Sequence, residues 1–376
     1  VFASPAVRED SPYLVRARAS GVPLDTEMNL FMRLCRGTII GVTGSNGKTT
    51  TTSLIGAIMR AASPRAWVGG NIGRSLLPAI EQIQAGDPVV LELSSFQLED
   101  VAEVGRSPDI ALLLNLSPNH LDRHGSMQRY LAAKWHIFAY QGPSDVAILN
   151  ADDPTVQGLA SRVPGRARLF SLEQRVSDGS YLEGERLVIA REGSACEACR
   201  LTEIPLLGRH NVANVLAAVA AADAWGVPPP VIREAVRSFP GVEHRLERVR
   251  ELDGVTFYND SIATSPAATL AALAALPHPI LLIAGGYDKG LPFDALAERI
   301  ATGVQGAFLI GNTAPEIARA IEAARIPRRT APIIALCRDL HEAVQAAWRA
   351  ARPGDAVLLS PACASYDQFR NFVERG

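Results

Sequence analysis

The sequence predicts an α/β protein whose sheets are mostly parallel, because three patterns recur along its 376 residues. Apolar runs of strand length end in polar residues, a helical pattern follows each run, and this alternation occurs twice, before residue 152 and again from residue 254. Such alternation is typical of parallel sheets covered by helices, which carry their sites at the carboxyl ends of the strands. We therefore expect two α/β domains, over residues 37–240 and 241–376.

The strands of both domains are predicted from their apolar, β-branched runs. In the first domain these runs are residues 38–43, 88–94, 109–117 and 145–152. Short alternating runs and turn glycines over residues 164–206 indicate a few antiparallel strands, and two helical stretches follow up to residue 239. In the second domain the runs are residues 254–260, 279–286, 306–312, 331–336 and 355–362.

The N-terminal segment, residues 1–36, has two helix-like stretches but too few strands to form a domain. Because the chain begins with Val1, we expect a fragment that lacks sequence in front of this segment.

Composition excludes several classes of protein. The net charge of −2 gives no electrostatic footprint for nucleic acid, and no apolar run is long enough to predict a membrane span. The N-terminus also lacks a signal-peptide pattern. Of the five cysteines only Cys196 and Cys199 form a C-x-x-C pair, and no second Cys or His pair has zinc spacing. We therefore expect reduced thiols without a metal or redox role.

The segment GVTGSNGKTTTT, residues 41–52, joins a predicted strand to a predicted helix and resembles a phosphate-binding loop. Val42 stands where the usual G-x-x-x-x-G-K-[ST] pattern has its first glycine, so the loop is shortened. Free backbone N–H groups and the helix dipole favour an anion here, Lys48 supplies a cation, and Thr49 offers a hydroxyl to magnesium. A glycine-rich turn with a surface lysine is the alternative, but strand, loop and amphipathic helix together favour a nucleotide.

Polar residues also gather at the ends of the next strands. Glu92 ends one run, the loop after residue 114 contains Asn115, His120, Asp122 and His124, and Lys134 lies among apolar residues of a predicted helix. Each residue alone has an ordinary structural explanation, such as a helix cap or a solvated loop histidine. Together, beside a phosphate loop, they favour a metal-assisted phosphoryl-transfer site, since magnesium prefers oxygen ligands.

These segments resemble the Mur ligase family, which builds the peptidoglycan stem peptide. The resemblance rests on TGSNGKTT (43–50), ELSSFQLE (92–99), HNVAN (210–214), GVEHR (241–245), NDSIAT (259–264), GGYDKG (285–290) and SPACASYDQFRNF (360–372). The second and last of these resemble the members that add glutamate. The resemblance implies a remnant of the N-terminal UDP-binding domain over 1–36, a central P-loop-type ATPase domain over 37–240, and a Rossmann-like, glutamate-binding C-terminal domain over 241–376.

The resemblance also implies the reaction. A substrate carboxylate attacks the γ-phosphate of ATP to give an acyl phosphate and ADP, and the amino group of glutamate then expels phosphate. The implied substrates are UDP-N-acetylmuramoyl-L-alanine and glutamate, expected to be D-glutamate, and the implied cofactors are ATP, two Mg²⁺ ions and a CO₂-derived carbamate on Lys134. We expect a cytoplasmic monomer that has no nucleic-acid partner.

Residue roles are carried over by position. The implied ATP ligands are Gly44, Ser45, Asn46, Gly47, Lys48, Thr49, Thr50, Asn214, Arg245 and Asp260. The implied magnesium ligands are Thr49, Glu92, His120 and Lys134, and the implied catalytic residues are Lys48, His120 and Lys134. The implied contacts to the sugar-peptide substrate are Asn71, Ser94 and Gln97, and those to glutamate are Thr264, Lys289, Ser365 and Phe372.

Two departures and three alternatives stay open at this point. Ile262 and Tyr366 stand where many members have lysine and leucine, which leaves the handedness of glutamate open. An L-glutamate-adding variant would have nearly the same sequence. A folylpolyglutamate-synthase-like ligase shares the ATP loop, although residues 69–73 and 94–99 argue against it. A non-catalytic nucleotide-binding module is the third alternative.

Overall fold

The computed structural model describes residues 1–4, 7, 10–72, 75–276, 279–325 and 331–376, with the side chain of Asp122 excepted. Gly73, the last residue of the predicted segment 69–73, lies outside the described residues. The chain divides into two compact units, Val1–Phe239 and Pro240–Gly376. No helix in the described ranges is long and apolar enough to cross a membrane.

The first unit is built on one sheet, which has nine strands within the described residues. They are β1 Thr38–Thr43, β2 Trp67–Gly70, β3 Pro88–Glu92, β4 Ile110–Leu113, β5 Val146–Asn150, β6 Arg166–Ser171, β7 Gly179–Glu183, β8 Arg186–Arg191 and β9 Ser194–Arg200. The spatial order is β2-β3-β1-β4-β5-β6-β7-β8-β9, and the strands from β2 to β7 are parallel. The predicted parallel α/β fold is therefore confirmed.

The antiparallel part of this sheet is smaller than the sequence predicts. The prediction of a few antiparallel strands over residues 164–206 is confirmed for β7, β8 and β9 but is wrong for β6, which runs parallel to β5 and β7. Parallel neighbours need a crossover connection, and the short helix after β5 provides one. Only β7, β8 and β9 pair antiparallel, because two-residue turns with Gly184 and Gly193 at positive φ join them.

Helices cover the sheet of the first unit. They are α1 Pro12–Ala19, α2 Glu27–Leu34, α3 Lys48–Ala62, α4 Ser95–Val101, α5 Leu121–His124, α6 Met127–Trp135, α7 Pro154–Gln157, α8 Arg209–Trp225 and α9 Pro229–Ser238. Three 3₁₀ turns occupy Leu77–Gln82, Ala102–Val104 and Leu201–Glu203. Helix α2 buries Met28, Phe31 and Met32 in the same core as the sheet residues Ile39 and Val89.

Helix α8 packs on α3 and is held to the sheet at its far end. The carboxylate of Asp223 accepts a hydrogen bond from the guanidinium of Arg168 on β6 at 2.7 Å, and both side chains are 1% exposed. Burying these two charges is tolerated because each is paired. The pair fixes the carboxyl end of the helix that carries Asn214.

The second unit contains a six-stranded sheet within the described residues. Its strands are β10 Glu247–Leu252, β11 Val255–Asn259, β12 Ile280–Gly285, β13 Gly306–Ile310, β14 Ile333–Leu336 and β15 Ala356–Leu359. Its helices are α10 Pro266–Ala275, α11 Asp294–Gly303, α12 Ala314–Ala323, α13 Leu340–Ala350 and α14 Phe372–Arg375. The order is β10-β11-β15-β12-β13-β14, with only β10 antiparallel, and α13 packs on β12, β13 and β15.

All five cysteines are free thiols in the structure. Cys196 is exposed on β9, Cys337 is half-buried, and the other three are buried. Burial raises the pKa of the Cys199 thiol to about 12 and that of Cys363 to about 11. The buried thiols are therefore poor nucleophiles, because the reactive species is the thiolate.

Candidate active site

The glycine-rich loop lies between β1 and α3, as predicted. Gly44 and Gly47 adopt φ values of 157° and 85°, a region that favours glycine. A Cβ on Gly47 would overlap the amide oxygen of Asn214, so a larger residue here would have to displace that side chain. Helix α3 begins at Lys48 without a side-chain cap, which leaves its first N–H groups directed at the loop. This arrangement suits an anion.

Lys48 folds over the loop that precedes it. Its ammonium donates to the carbonyl oxygens of Gly44 at 2.9 Å and Ser45 at 3.1 Å. These contacts place the positive charge next to the free N–H groups of the helix. A cation and oriented N–H groups in one place can stabilise charge that develops on a terminal phosphate.

The outer part of the loop is fixed by residues that follow β4. The backbone N–H of Asn46 donates to the side-chain oxygen of Asn115 at 2.9 Å, and the amide of Asn115 donates back to the Asn46 carbonyl at 3.0 Å. The Ser45 hydroxyl donates to the Ser117 carbonyl and lies 3.2 Å from the phenol oxygen of Tyr130. Tyr130, which the sequence analysis does not single out, therefore braces the loop.

Oxygen ligands suited to magnesium converge where β3 ends. The carboxylate of Glu92 is 2% exposed and accepts hydrogen bonds at 2.8 Å from the Thr49 hydroxyl and from the Asn71 amide. A hydroxyl and a carboxylate beside a phosphate loop fit Mg²⁺, which usually takes one or two protein oxygens and completes its shell with phosphates and water. The described residues contain no group of three His, Cys, Asp or Glu side chains that could hold a metal ion.

Lys134 is a buried lysine directed at the same loop. Its side chain is 1% exposed, and its ammonium donates to the Thr43 hydroxyl at 3.2 Å and the Gly44 carbonyl at 3.0 Å. Burial, with the nearby charge of Lys48, lowers its pKa from 10.5 to about 7, while Glu92 acts in the opposite direction. Near neutral pH the neutral amine is therefore accessible, which is the form that reacts with CO₂.

His120 lies where the chain enters α5. It is exposed and has φ 52°, a left-handed conformation that is uncommon outside glycine. The ring of Phe96 meets the His120 ring edge to face, with centroids 5.2 Å apart. The structure thus places His120 beside α4, which follows directly from the strand that carries Glu92.

Ser94 and Gln97 form the N-terminal cap of α4. The Ser94 hydroxyl accepts from the Gln97 N–H at 3.2 Å, and the Gln97 side-chain oxygen accepts from the Ser94 N–H at 3.0 Å. This reciprocal pair is a capping box. Both residues therefore have a structural role, and their predicted contacts to the substrate stay predictions.

Thr50 and Asn214 complete the predicted nucleotide residues of the first unit. Thr50 is buried in the first turn of α3, and Asn214 is buried on α8 with its amide donating to Asn211 at 3.0 Å. Asn214 lies against Gly47, so the structure brings it to the glycine-rich loop.

In the second unit, three of the residues predicted to contact the substrate glutamate lie in loops at the carboxyl edge of the sheet. Thr264 follows β11, the exposed Lys289 follows β12, and the buried Ser365 follows β15. Phe372 begins α14, and its ring meets that of His244 with centroids 6.0 Å apart. This edge is where sites of parallel sheets occur.

Asp260 and Arg245 lie near the same edge. Burial raises the pKa of the Asp260 carboxyl from 3.8 to about 6, although Ser360 donates to it at 2.7 Å and the Leu246 N–H at 3.1 Å. The positive charge of Arg245 acts in the opposite direction. Asp260 is thus fixed by its own unit and is available as an acceptor.

The two departures from the family pattern have different surroundings. Ile262 is half-buried, and its carbonyl accepts from the Thr264 N–H at 2.8 Å. Tyr366 is 69% exposed, and its ring meets that of Tyr287 with centroids 6.0 Å apart.

A buried arginine that no local sequence pattern predicts organises the loop of Ser365. Arg375 is 3% exposed and donates to the carbonyl oxygens of Cys363 and Ala364 at 3.1 Å and of Ser261 at 2.8 Å. Burial lowers its pKa to about 10. Nothing local indicated this role, because an arginine in a charged terminal turn is usually solvated.

The fold and the loop define a class, the ATP-dependent ligases of Mur type, and two family models agree. Residues 42–222 match the Mur ligase middle domain, and residues 244–363 match the Mur ligase, glutamate ligase domain. The chain belongs to the Mur ligase family. The predicted family and the prediction of a ligase enzyme are thereby confirmed.

Curated relatives cover the whole chain. It is 50% identical to a protein of Symbiobacterium thermophilum and 45% identical to one of Roseiflexus sp., each over 100% of this chain and 82% of the relative. A protein of Clostridium kluyveri is 44% identical over 100% of this chain and 80% of the relative. All three are named UDP-N-acetylmuramoylalanine–D-glutamate ligase.

Solved structures share the fold. UDP-N-acetylmuramate-alanine ligase MurC from Thermotoga maritima superposes with a TM-score of 0.67 at 20% identity, over 96% of this chain and 81% of that chain. MurF ligase from the same organism, in complex with ADP, gives a TM-score of 0.63 at 20% identity, over 88% of this chain and 78% of that chain. These similarities confirm the predicted arrangement of a P-loop-type domain followed by a Rossmann-like domain.

Proposed function

We propose that this chain joins D-glutamate to UDP-N-acetylmuramoyl-L-alanine in an ATP-dependent reaction that passes through an acyl phosphate. The observation that carries the proposal is the cluster at the end of β3. A buried Glu92 holds the Thr49 hydroxyl at 2.8 Å, next to a glycine-rich loop and two lysines. The names of relatives that are 44–50% identical over the whole chain supply the substrates.

The first step brings two anions together, so charge neutralisation and positioning are the main catalytic demands. Lys48 would neutralise charge on the terminal phosphates, and the N–H groups of the loop would bind them. Thr49 and Glu92 would hold one Mg²⁺, whose positive charge draws electron density from the phosphate that is transferred. Asn214 would keep the loop in register with the nucleotide, since it touches Gly47.

After it takes up CO₂, Lys134 would bind the second magnesium together with His120. The reaction joins the neutral amine to the carbon of CO₂, and the proton that the nitrogen loses goes to solvent. The product is an anionic oxygen ligand in place of a cation. The observation in support is the chemistry of the donor: an amine 1% exposed with its pKa lowered to about 7.

The second unit would bind glutamate along the carboxyl edge of its sheet. Lys289 would pair with a carboxylate of the amino acid, Thr264 and Ser365 would donate hydrogen bonds, and Phe372 would form one wall. Arg245 and Asp260 would bind the nucleotide's phosphates and ribose. These roles are proposals that rest on position at this edge.

The experiment is an assay of ADP release with ATP, Mg²⁺, UDP-N-acetylmuramoyl-L-alanine and glutamate, each omitted in turn. We expect release to depend on every component and on D-glutamate. Release that depends on L-glutamate would establish the L-glutamate-adding variant, which Ile262 and Tyr366 leave open. Release that requires a folate substrate, or no release at all, would contradict the proposal.

A further inference from the structure

His124, a residue without a role so far, is buried in a chain of polar contacts beside the candidate metal site. Its ring is almost completely buried, with Nε2 2.9 Å from the Ser95 hydroxyl and Nδ1 3.2 Å from the Glu99 carboxylate. A carboxylate can only accept, so in the neutral ring Nδ1 carries the hydrogen and Nε2 accepts from Ser95. Both ring nitrogens are thereby satisfied.

A serine, a histidine and an acid in this order resemble a nucleophile with its base. The Ser95 hydroxyl is unsuited to attack a substrate, however, because the residue is 3% exposed in the first turn of α4. The chain of contacts therefore needs another explanation. Its geometry suggests one, since it connects α5, which begins directly after His120, to α4, which follows the strand that ends at Glu92.

The ring of His124 joins α5 to α4. Ser95 and Glu99 both belong to α4, and the ring of Phe96, from the same helix, stacks on His124 at 5.1 Å with an interplanar angle of 8°. His124 also packs against Tyr130, with ring centroids 5.1 Å apart. Four contacts thus fix one imidazole, which leaves α5 little freedom to rotate against α4.

His120 depends on this attachment in two ways. The backbone N–H of His124 donates to the His120 carbonyl at 2.9 Å and closes the single turn of α5. Phe96 contacts both rings, since it stacks on His124 and meets His120 in an edge-to-face arrangement. A left-handed residue such as His120 keeps its conformation only where its surroundings impose it.

We propose that His124 is a positioning residue that holds His120 in the orientation required to bind the second magnesium. The inference rests on the proposed function, because His120 is a metal ligand only under that proposal. Residues that orient a metal ligand typically change metal affinity or activity by about 10–100-fold when they are replaced.

The test uses His124→Phe, which keeps a ring to stack on Phe96 but removes both hydrogen bonds. His136→Phe is the matched control, because the His136 ring also stacks on an aromatic side chain, that of Tyr140, with an interplanar angle of 13°. Mn²⁺ binding would be measured by the electron paramagnetic resonance of the free ion, with a non-hydrolysable ATP analogue present. His120→Ala identifies which of the two ions the histidine binds.

We expect His124→Phe to weaken the binding of the ion that His120 holds by about tenfold or more. The affinity for the analogue at saturating Mn²⁺ should change less than twofold. His136→Phe should bind both ions as the unmodified protein does. A His124→Phe protein with a lower melting temperature and unchanged Mn²⁺ binding would overturn the proposal and leave His124 a purely structural residue.

Ser95→Ala decides the question if His124→Phe does not fold, because it removes one hydrogen bond at a helix position that tolerates alanine. We expect Ser95→Ala to weaken the binding of the same ion by about threefold to tenfold, and unchanged binding would again overturn the proposal. Mn²⁺ binding is measured with the ATP analogue but without UDP-N-acetylmuramoyl-L-alanine and glutamate. Failure of the proposed function, which appears as absent ADP release by the unmodified protein, is therefore distinguishable from failure of this inference.

Discussion

Lys48 and Lys134 donate hydrogen bonds to the same acceptor, the carbonyl oxygen of Gly44, at 2.9 and 3.0 Å. Two ammonium groups on one carbonyl repel each other, and this repulsion adds to burial in lowering the pKa of Lys134. The cation proposed for the phosphates thus also favours the neutral form of the lysine proposed to take up CO₂. The two roles are coupled through one oxygen atom.

Lys48→Ala should lower ATP turnover by at least about 10²-fold, because charge that develops on the γ-phosphate loses its fixed cation. The variant should also have a higher pKa at Lys134, since the repulsion is gone. Steady-state ADP release measures the first effect. Arg60→Ala, at the last turn of the same helix, is the control, and unchanged turnover in a folded Lys48→Ala protein would contradict the assignment.

Lys134→Ala should be nearly inactive, and short-chain carboxylic acids should restore part of its activity by supplying the missing oxygen ligand. Lys134→Arg should stay inactive with or without the acids, because a guanidinium neither takes up CO₂ nor binds magnesium. Initial rates at increasing acetate concentration measure the rescue. An active Lys134→Arg protein would show that no carbamate is needed.

Carbamylation of Lys134 should depend on pH around neutrality. CO₂ adds to the neutral amine, and a pKa lowered to about 7 makes that form dominant above this pH and scarce below it. With ¹³C-bicarbonate, we expect a carbamate resonance that is strong at about pH 8 and weak at about pH 6. A resonance that persists in Lys134→Ala would belong to another amine.

Gly47→Ala should weaken nucleotide binding by tenfold or more, because the added methyl group would overlap the amide of Asn214 and displace the loop. Gly193→Ala is a matched control: that glycine also has a positive φ, 76°, but has nothing near the position of a Cβ. Calorimetry with an ATP analogue separates the two. Equal, small losses of nucleotide affinity in both variants would mean that only the backbone strain of a side chain at positive φ affects binding, and not the overlap with Asn214.

Asp260→Asn should stabilise the protein at neutral pH more than in acid. The Asp260 carboxyl binds a proton more tightly in the folded protein than in the unfolded chain. The free energy of unfolding of the unmodified protein therefore falls as the pH rises from about 4 to about 6. Asparagine avoids this loss, on the order of 2–3 kcal/mol, while still accepting from Leu246. Melting temperatures at both pH values measure the difference, and a constant difference would contradict the shift.

The loop and the parallel strands could be predicted because their determinants are local. A buried strand, glycines and a lysine at the start of a helix follow one another within residues 38–62. The predicted strand over 109–117 is longer than β4, Ile110–Leu113, because the chain turns into the loop at Asn115 while its composition stays apolar. The spacing of apolar residues does not indicate where hydrogen bonding to the neighbouring strand ends.

Other features could not be predicted because they depend on contacts that are distant in sequence. The residues of β10 are mostly charged and exposed. This strand lies at the edge of the sheet and is hydrogen-bonded to one neighbour, β11. His124 is fixed by Ser95 of α4, 29 positions earlier, and Arg375 by carbonyls of residues as distant as Ser261. In each case the tertiary fold, and no local pattern, determines the role.

The distribution of thiols gives this enzyme a natural attachment point for a spectroscopic reporter. Only Cys196 is exposed, at the end of the sheet opposite β2, whereas burial raises the pKa of Cys35, Cys199, Cys337 and Cys363 and slows their reaction. A maleimide dye at neutral pH should therefore label one position without any engineered cysteine. Paired with a second dye introduced in Pro240–Gly376, it would report the distance between the units during turnover.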